Sequence, residues 1–342
     1  MKKIIPIILI ILSIVFLYFN SSKQSNIEEK ENKKIKENTN KKQEKNNLVS
    51  YNGKLKVDKT NLVNQYEEEI ILKGISTHGI QWYSKFANEK VIKTLRDDWN
   101  TNVFRIAMYT EENGYIYNKS LKDKVKEIAN IAIKLDMYVI IDWHILSDNN
   151  PNIHKEEAKE FFTEMAIEYK DTPNVIFEIC NEPNGNVTWN NDIKKYAEEI
   201  IPLIRKYTDN IIIVGTGTWS QDINDAADNP LNYSNIMYAC HFYAGTHQKW
   251  LRDRIDYARS KNIAIIVSEF GVSNADGTGG VFKEETIKWL DYLRDKKISF
   301  INWSLSDKNE TSALLLPNTN EYDISDKNLS ESGKFIKEQM KK

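Results

Sequence analysis

Short apolar runs alternate with longer segments of helical period throughout residues 50–342. The runs are rich in β-branched residues, which is typical of buried parallel strands. Predicted strands lie at residues 70–75, 102–107, 137–142, 174–180, 211–215, 236–241, 263–268 and 298–303. Eight such units in about 250 residues favour an α/β fold with one closed (β/α)8 TIM barrel over an open doubly wound sheet.

Amphipathic segments between these runs complete the βα alternation. We predict helices at Leu121–Leu135, Lys155–Tyr169, Ile193–Tyr207, Trp250–Lys261 and Lys283–Asp295. The segment Tyr51–Gln65 predicts a small hairpin that would close the barrel floor. Since no Gly-x-Gly-x-x-Gly follows a predicted strand, the pattern argues against a dinucleotide site.

The N-terminus has a different pattern. Two lysines precede an apolar run, Ile4–Phe19, which predicts a secretory signal within residues 1–20. No Ala-x-Ala site follows, so an uncleaved membrane anchor stays an alternative. Residues 21–49 are almost entirely polar and predict a disordered tether, and residues 50–342 predict one folded domain. We therefore expect a secreted, extracellular protein, either released or held at the membrane.

Composition restricts the partners. With a net charge of −2, the chain has no basic surface of the kind that binds nucleic acid. The 8 tryptophans and 17 tyrosines are more informative, because flat rings stack on sugar faces, although most aromatics in a barrel serve packing. The two cysteines, Cys180 and Cys240, are predicted to be small buried thiols rather than a disulfide or a nucleophile.

Two glutamates directly follow predicted strands. Glu182 ends the fourth strand and Glu269 ends the seventh. The carboxyl ends of barrel strands meet at one mouth, where catalytic residues lie. Two carboxyl groups there would suit hydrolysis of a glycosidic bond without a metal. A surface or capping role for Glu182 and a structural ion pair for Glu269 are the alternatives.

An arginine lies inside an apolar strand. Arg105 is flanked by Val103, Phe104 and Ile106. Because a buried guanidinium is costly without a carboxylate partner, we hypothesise that Arg105 pairs with Glu269 and keeps it ionised as a nucleophile.

Three histidines, His78, His144 and His241, also follow strands. Clustered imidazoles can hold Zn²⁺, but neither a His-x-His pair nor a His-Glu-x-x-His helix is present, so contacts to a glycan are favoured over a metal. His154 and His247 are interpreted as loop or surface residues.

Aromatic and charged residues complete the predicted mouth. Tyr243 would hydrogen-bond Glu269, and Asn181 would donate to a substrate hydroxyl. Rings at this mouth would form a stacking surface, and the loop after the eighth strand adds two charged residues that would bind sugar hydroxyls or form a solvated turn. These residues are Trp82, Trp219, Trp303, Lys308 and Glu310.

An ordered set of motifs now resembles glycoside hydrolase family 5, most closely its secreted bacterial endo-β-1,4-glucanases. The similarity covers about residues 50–340. The motifs are Gly74–Trp82, Asn102–Thr110, Val139–Leu146, Ile179–Gly185, Thr218–Asp222, His241–Gly245 and Asn302–Glu310.

The resemblance implies a retaining mechanism, with Glu182 as acid/base and Glu269 as nucleophile. It implies a surrounding site of Arg105, His144, Asn181, His241, Tyr243 and Trp303. It further implies glucan contacts through His78, Trp82, Tyr109, Trp219, Lys308 and Glu310. We expect a β-glucan substrate, no cofactor, no metal and a monomer. Mannan, mixed-linkage glucan or xylan as substrate, a metal-dependent barrel hydrolase and a non-catalytic glycan-binding barrel stay as alternatives.

Overall fold

Eight parallel strand positions close a barrel in the computed structural model, which describes residues 48–342. Neighbouring barrel strands follow the order of the chain, and the last, Phe300–Leu305, pairs back to the first, Lys73–Thr77. A two-residue strand, Phe242–Tyr243, continues beside the second half of strand Ile265–Gly271, where strand Ile236–Ala239 has ended. The predicted (β/α)8 fold is therefore confirmed.

The strands lie close to their predicted positions. The barrel strands are β3 Lys73–Thr77, β4 Val103–Tyr109, β5 Tyr138–His144, β6 Val175–Glu178, β7 Ile212–Val214, β8 Ile236–Ala239, β9 Phe242–Tyr243, β10 Ile265–Gly271 and β11 Phe300–Leu305. The first begins three residues later than predicted. Ile70 and Leu72 precede it but are buried at the barrel floor, so their apolar character reports burial rather than strand pairing.

Helices surround the barrel, and all five predicted helices are present with ends shifted by two residues at most. The larger helices are α3 Glu89–Trp99, α4 Leu121–Lys134, α5 Lys155–Glu168, α6 Lys194–Arg205, α9 Lys249–Ser260, α10 Lys283–Asp295 and α11 Glu331–Met340. Short helices are α1 Val49–Asn52, α2 Ile80–Tyr83 and α8 Ile223–Asp228, and α7 Gly217–Ser220 is a single turn with left-handed backbone at Thr218 and Trp219. Single turns of other helix types lie at Ser84–Phe86, Trp189–Ile193 and Asp326–Asn328.

The predicted hairpin closes the barrel floor. Strands β1 Lys56–Asp58 and β2 Asn61–Val63 pair antiparallel. Leu55 and Leu62 beside them join the cluster of buried side chains that fills the lower barrel. The floor is further fixed by Tyr138, whose hydroxyl donates to the Gly53 carbonyl over 2.7 Å.

The compact unit spans Leu48–Lys342 and so begins two residues before the expected domain start. Val49, which the sequence assigned to the tether, is buried at the floor, because its apolar side chain packs there. The predicted signal segment and the rest of the tether lie outside the described residues. In the part of the chain that the structure describes, no helix is long and apolar enough to cross a membrane.

Candidate active site

A cleft of about 1110 Å³ opens at the carboxyl ends of the barrel strands. Twelve of the fourteen predicted site residues line it: His78, Trp82, Tyr109, His144, Glu182, Trp219, His241, Tyr243, Glu269, Trp303, Lys308 and Glu310. The other two, Arg105 and Asn181, are fully buried beneath its base. Strand ends of a parallel barrel share one rim, so residues far apart in sequence converge here.

Glu269 is held by two donors. The Tyr243 hydroxyl donates to Oε1 over 2.7 Å, and Arg105 Nη1 lies 3.2 Å from Oε2. Glu269 is only 4% exposed, so these two donors take the place of water around its carboxyl group. Both contacts that the sequence predicted for Glu269 are therefore present.

Arg105 also binds two carboxylates that the sequence analysis missed. Its Nε donates to Glu178 over 2.7 Å, and Nη2 lies 3.0 Å from Asp142. Burial opposes the charge of the guanidinium, but Asp142, Glu178 and Glu269 together raise the pKa of Arg105. In Glu178, burial is outweighed by Arg105, which lowers the pKa of that carboxyl to about 2. Burial raises the pKa of Asp142, with Arg105 opposing.

Glu182 has a different partner. Its Oε1 lies 2.8 Å from His241 Nδ1, so a proton is shared between a carboxyl and an imidazole. The far side of the ring is fixed by Ser268. The Ser268 hydroxyl donates its one proton to Glu178 over 2.6 Å, so it accepts from His241 Nε2 over 2.9 Å. Nε2 therefore carries a proton whatever the state of Nδ1.

The charge of His241 follows from these neighbours. Burial disfavours the imidazolium, but the surrounding carboxylates raise the pKa of His241 to about 9. Glu182 is bonded to Nδ1, Glu178 lies behind the Ser268 hydroxyl, and Glu269 adds its charge. His241 is therefore a buried cation near neutral pH. The two candidate catalytic carboxyls thus have different surroundings, one facing an imidazolium and the other facing a guanidinium and a phenol.

His144 has the opposite character. Its Nδ1 donates to Asp142 over 2.6 Å, and Nε2 accepts from the Asn181 amide over 3.3 Å. Burial and the charge of Arg105 lower the pKa of His144 to about 3, so the ring is neutral. The second amide hydrogen of Asn181 goes to Ile145 O over 3.2 Å. Both amide hydrogens of Asn181 therefore have acceptors within the protein.

Stacked rings form one wall of the cleft. Trp303 stacks on His144 with centroids 5.2 Å apart, and His78 lies parallel to Tyr109 at 6.1 Å. Trp82 continues this wall outward and is 42% exposed. Beside it, the Lys308 ammonium pairs with Glu310 over 2.7 Å, so these two residues form a charged pair at the rim.

Trp219 lies on the opposite side of the cleft. It is the middle of three consecutive non-glycine residues with positive φ, from Thr218 to Ser220. Such a turn is strained, and hydrogen bonds hold it: the Trp219 amide donates to Pro183 O over 3.0 Å, and the Ser220 hydroxyl donates to Asn181 O over 2.7 Å. The turn leaves the indole of Trp219 45% exposed above the cleft.

His247 lies in a loop, as predicted, but it is not a surface residue. His247 is buried and lines the cleft, because its loop folds back so that Tyr243 N donates to its Nδ1 over 2.9 Å. His154 is partly exposed and pairs with Glu111 over 2.6 Å. Cys180 and Cys240 are free and fully buried, as predicted, and burial raises the pKa of both thiols.

The geometry also bears on a metal. Among residues 48–342, one group could hold an ion: Glu182, His241 and Glu269 offer ligand atoms within 4.8 Å of one another. It contains only one of the three strand-end histidines. Both ring nitrogens of His241 are engaged, by Glu182 and by Ser268, so an ion bound to this group would have to displace a hydrogen bond and a ring proton.

A parallel barrel with two differently held carboxyls at its mouth defines a glycosidase-type site. The family model described as cellulase (glycosyl hydrolase family 5) matches residues 63–309. The chain belongs to glycosyl hydrolase family 5.

Similar proteins and solved structures are in agreement with membership of this family. The chain is 55% identical over 295 residues to Endoglucanase 5 of Pectobacterium carotovorum and 57% identical over 292 residues to an endoglucanase of Clostridium saccharobutylicum. These matches cover 86% and 84% of this chain, but it spans only 58% and 65% of those proteins. The catalytic domain of Thermobifida fusca endoglucanase Cel5A in complex with cellotetraose matches 86% of this chain and 99% of its own, with 34% identity and a TM-score of 0.83.

Proposed function

We propose that this protein is a retaining endo-β-1,4-glucanase, which hydrolyses internal bonds of cellulose or related β-glucans. The spacing of the two carboxyls carries the mechanism. Oxygens of Glu182 and Glu269 approach within 4.8 Å. Retaining glycosidases keep their carboxyl groups about 5–5.5 Å apart, whereas inverting enzymes need about 6.5–9.5 Å to admit a water.

The surroundings of each carboxyl assign its role. Glu269 receives hydrogen bonds from Arg105 and Tyr243 and serves as the ionised nucleophile. It attacks the anomeric carbon and forms a glycosyl ester while the bond to the leaving oxygen breaks. Glu182, whose Oε1 accepts from His241 while its other oxygen carries a proton, gives that second proton to the leaving oxygen.

Water completes the reaction. Glu182, now a carboxylate facing the His241 imidazolium, removes a proton from water, whose oxygen attacks the anomeric carbon and releases Glu269. Two inversions at one carbon give net retention. Glu182 ends the cycle protonated and Glu269 ends it ionised, so the site returns to its starting state.

These roles indicate which part of the glucan lies on each side of the cleft. The leaving sugar lies beside Glu182, on the side where Trp219 is held against Pro183. The sugars that remain bound lie on the other wall, over its rings and the charged pair Lys308–Glu310. The endoglucanase names of the relatives and the cellotetraose in the Cel5A structure support a β-1,4-glucan as substrate.

We also propose that the protein acts outside the cell as a monomer, directed there by residues 1–20 and held at the membrane if that segment is not cleaved. The basic start and apolar run of this segment support export. N-terminal sequencing of protein collected from the medium and from the membrane fraction would test this, because an intact start in the membrane fraction alone indicates an anchor. Light scattering would give the oligomeric state.

The first experiment measures release of reducing sugar from carboxymethylcellulose, mixed-linkage β-glucan, mannan and xylan, with Glu269→Ala as the control. We expect the wild type to release sugar from carboxymethylcellulose and the variant to release none. Adding a chelator should not reduce the release by the wild type. Release only from mannan or xylan would keep the mechanism and change the substrate. No release from any polymer would contradict the proposal and favour a glycan-binding barrel.

A further inference from the structure

A second exposed tryptophan lies just outside the leaving-group side of the cleft. Trp250 is in the first turn of α9 and is 44% exposed, about as much as Trp219. Its indole meets the ring of His247 edge to face, with centroids 5.8 Å apart. Since His247 lines the cleft, Trp250 is one side chain removed from the space that the substrate would occupy.

The indole of Trp250 is held in place. The Arg254 guanidinium lies over the ring, 5.1 Å from its centroid. Arg254 Nη1 donates to Gln221 O over 3.1 Å and to Asp222 over 2.6 Å. Asp222 in turn accepts from the Thr218 hydroxyl over 2.5 Å. Trp250 is therefore fixed to the same loop that presents Trp219 to the cleft.

A hydrogen-bond donor lies beside Trp250 in the lining of the cleft. His247 Nδ1 accepts from Tyr243 N, so the single proton of the neutral ring is on Nε2. Burial lowers the pKa of His247 to about 4, which keeps the ring neutral at the pH of most assays. A rigid exposed ring beside a fixed donor is the combination that binds a pyranose, whose apolar face stacks while its hydroxyls accept.

We propose that Trp250, with His247, forms a distal platform for sugar units on the leaving side of a β-linked glucan, beyond the unit at Trp219. The inference rests on the proposed function, because the role of Glu182 determines which side of the cleft binds the leaving sugars. Continuity with the cleft indicates a glucan chain as the occupant. The platform gains binding energy only from substrates long enough to reach it, so it favours cleavage within long chains.

The test compares Trp250→Ala and Trp250→Phe with the wild type on substrates of increasing length. Tyr257→Ala is the matched control, since Tyr257 lies two turns further along α9, is 39% exposed and bonds to Asp228 away from the cleft. We expect kcat/KM on cellohexaose to fall about five- to tenfold in Trp250→Ala, mainly through KM, as loss of one ring contact predicts. Trp250→Phe should recover most of it.

Activity on 4-nitrophenyl β-cellobioside, whose leaving group is too short to reach Trp250, should stay at the wild-type rate in all variants. Unchanged cellohexaose kinetics in Trp250→Ala, or an equal loss on both substrates, would overturn the platform. The first result would mean that the ring makes no contact, and the second would mean that it only supports the fold. A wild-type protein inactive on cellohexaose would instead contradict the proposed function, so the two failures are distinguishable.

Discussion

Replacing Glu178 with glutamine would test how the charge of His241 is set. Glu178 Oε1 lies 3.8 Å from His241 Nε2, with the Ser268 hydroxyl bridging them, and both side chains are buried. Two unit charges at that distance interact by about 4 kcal/mol at an effective dielectric constant of about 20. That energy corresponds to a change of about three in pKa. Glu178→Gln should therefore lower the pKa of His241 from about 9 to about 6.

Two measurements follow the titration of His241. The alkaline limb of kcat/KM on a soluble glucan should move down by about two to three pH units in Glu178→Gln, because the His241 imidazolium that faces Glu182 then loses its proton at a lower pH. The second is stability against pH. The pKa of His241 is higher in the folded protein, at about 9, than the unfolded value of about 6.5, so protonation of His241 stabilises the fold. This stabilisation is complete below about pH 6.5 and is lost as pH rises through about 9. The wild type should therefore lose stability across that window, and the variant should not.

Matched variants distinguish the effect of losing the charge of Glu178 from the effect of destabilising the fold. Glu178→Gln also breaks an ion pair with Arg105, at a cost of about 3–5 kcal/mol, so a lower melting temperature is expected at every pH. Glu285→Gln, which breaks the Arg252 ion pair outside the cleft, should leave the pH profile unchanged. Ser268→Ala keeps the charge of Glu178 and should shift the alkaline limb far less. An alkaline limb unmoved in Glu178→Gln would refute the reasoning.

Three further outcomes follow from the structure. Tyr243→Phe removes the 2.7 Å bond to Glu269 and should lower kcat/KM about 10- to 100-fold at unchanged melting temperature, as loss of one charge-assisted hydrogen bond predicts; an unaltered rate would contradict this. Trp143→Ala empties a fully buried site and should cost about 3–5 kcal/mol in urea unfolding. Burial lowers the pKa values of His78 and His144 to about 3, below the unfolded value of about 6.5, so stability should fall as pH drops from 6.5 towards 3, as urea titrations would detect.

The convergence of the site could be predicted because strand ends are equivalent positions in a parallel barrel. Glu182 and Glu269 follow the fourth and seventh strands, and the closed sheet brings them to one rim. Arg105 could be paired with Glu269 because a guanidinium in an apolar strand requires a carboxylate. These inferences depend only on topology and on the cost of burying charge.

The alternation of side chains along the strands also determines which residues face the barrel interior. Successive side chains of a strand point to opposite faces, so His144 and Asp142 share the barrel interior. Trp143, between them in sequence, points outward and packs against Phe161 with ring centroids 5.4 Å apart, so it does not line the cleft. The inward position of Glu178 follows from the same rule. His247 could not be placed this way, because its position depends on how a loop folds back.

The buried charges beneath the cleft explain why the carboxyls need separate cations. When Glu269 becomes an ester it loses its charge, and when Glu182 gives up its proton it gains one, so the total charge of the site stays constant through the first step. The negative charge moves from the side of Arg105 to the side of His241. Glu178 lies between both cations, 2.7 Å from Arg105 Nε and 3.8 Å from His241 Nε2, and stays ionised throughout. Glu178 therefore compensates the charge of Arg105 while Glu269 is an ester, and the charge of His241 while Glu182 is protonated. Removal of Glu178 should slow both formation and hydrolysis of the ester.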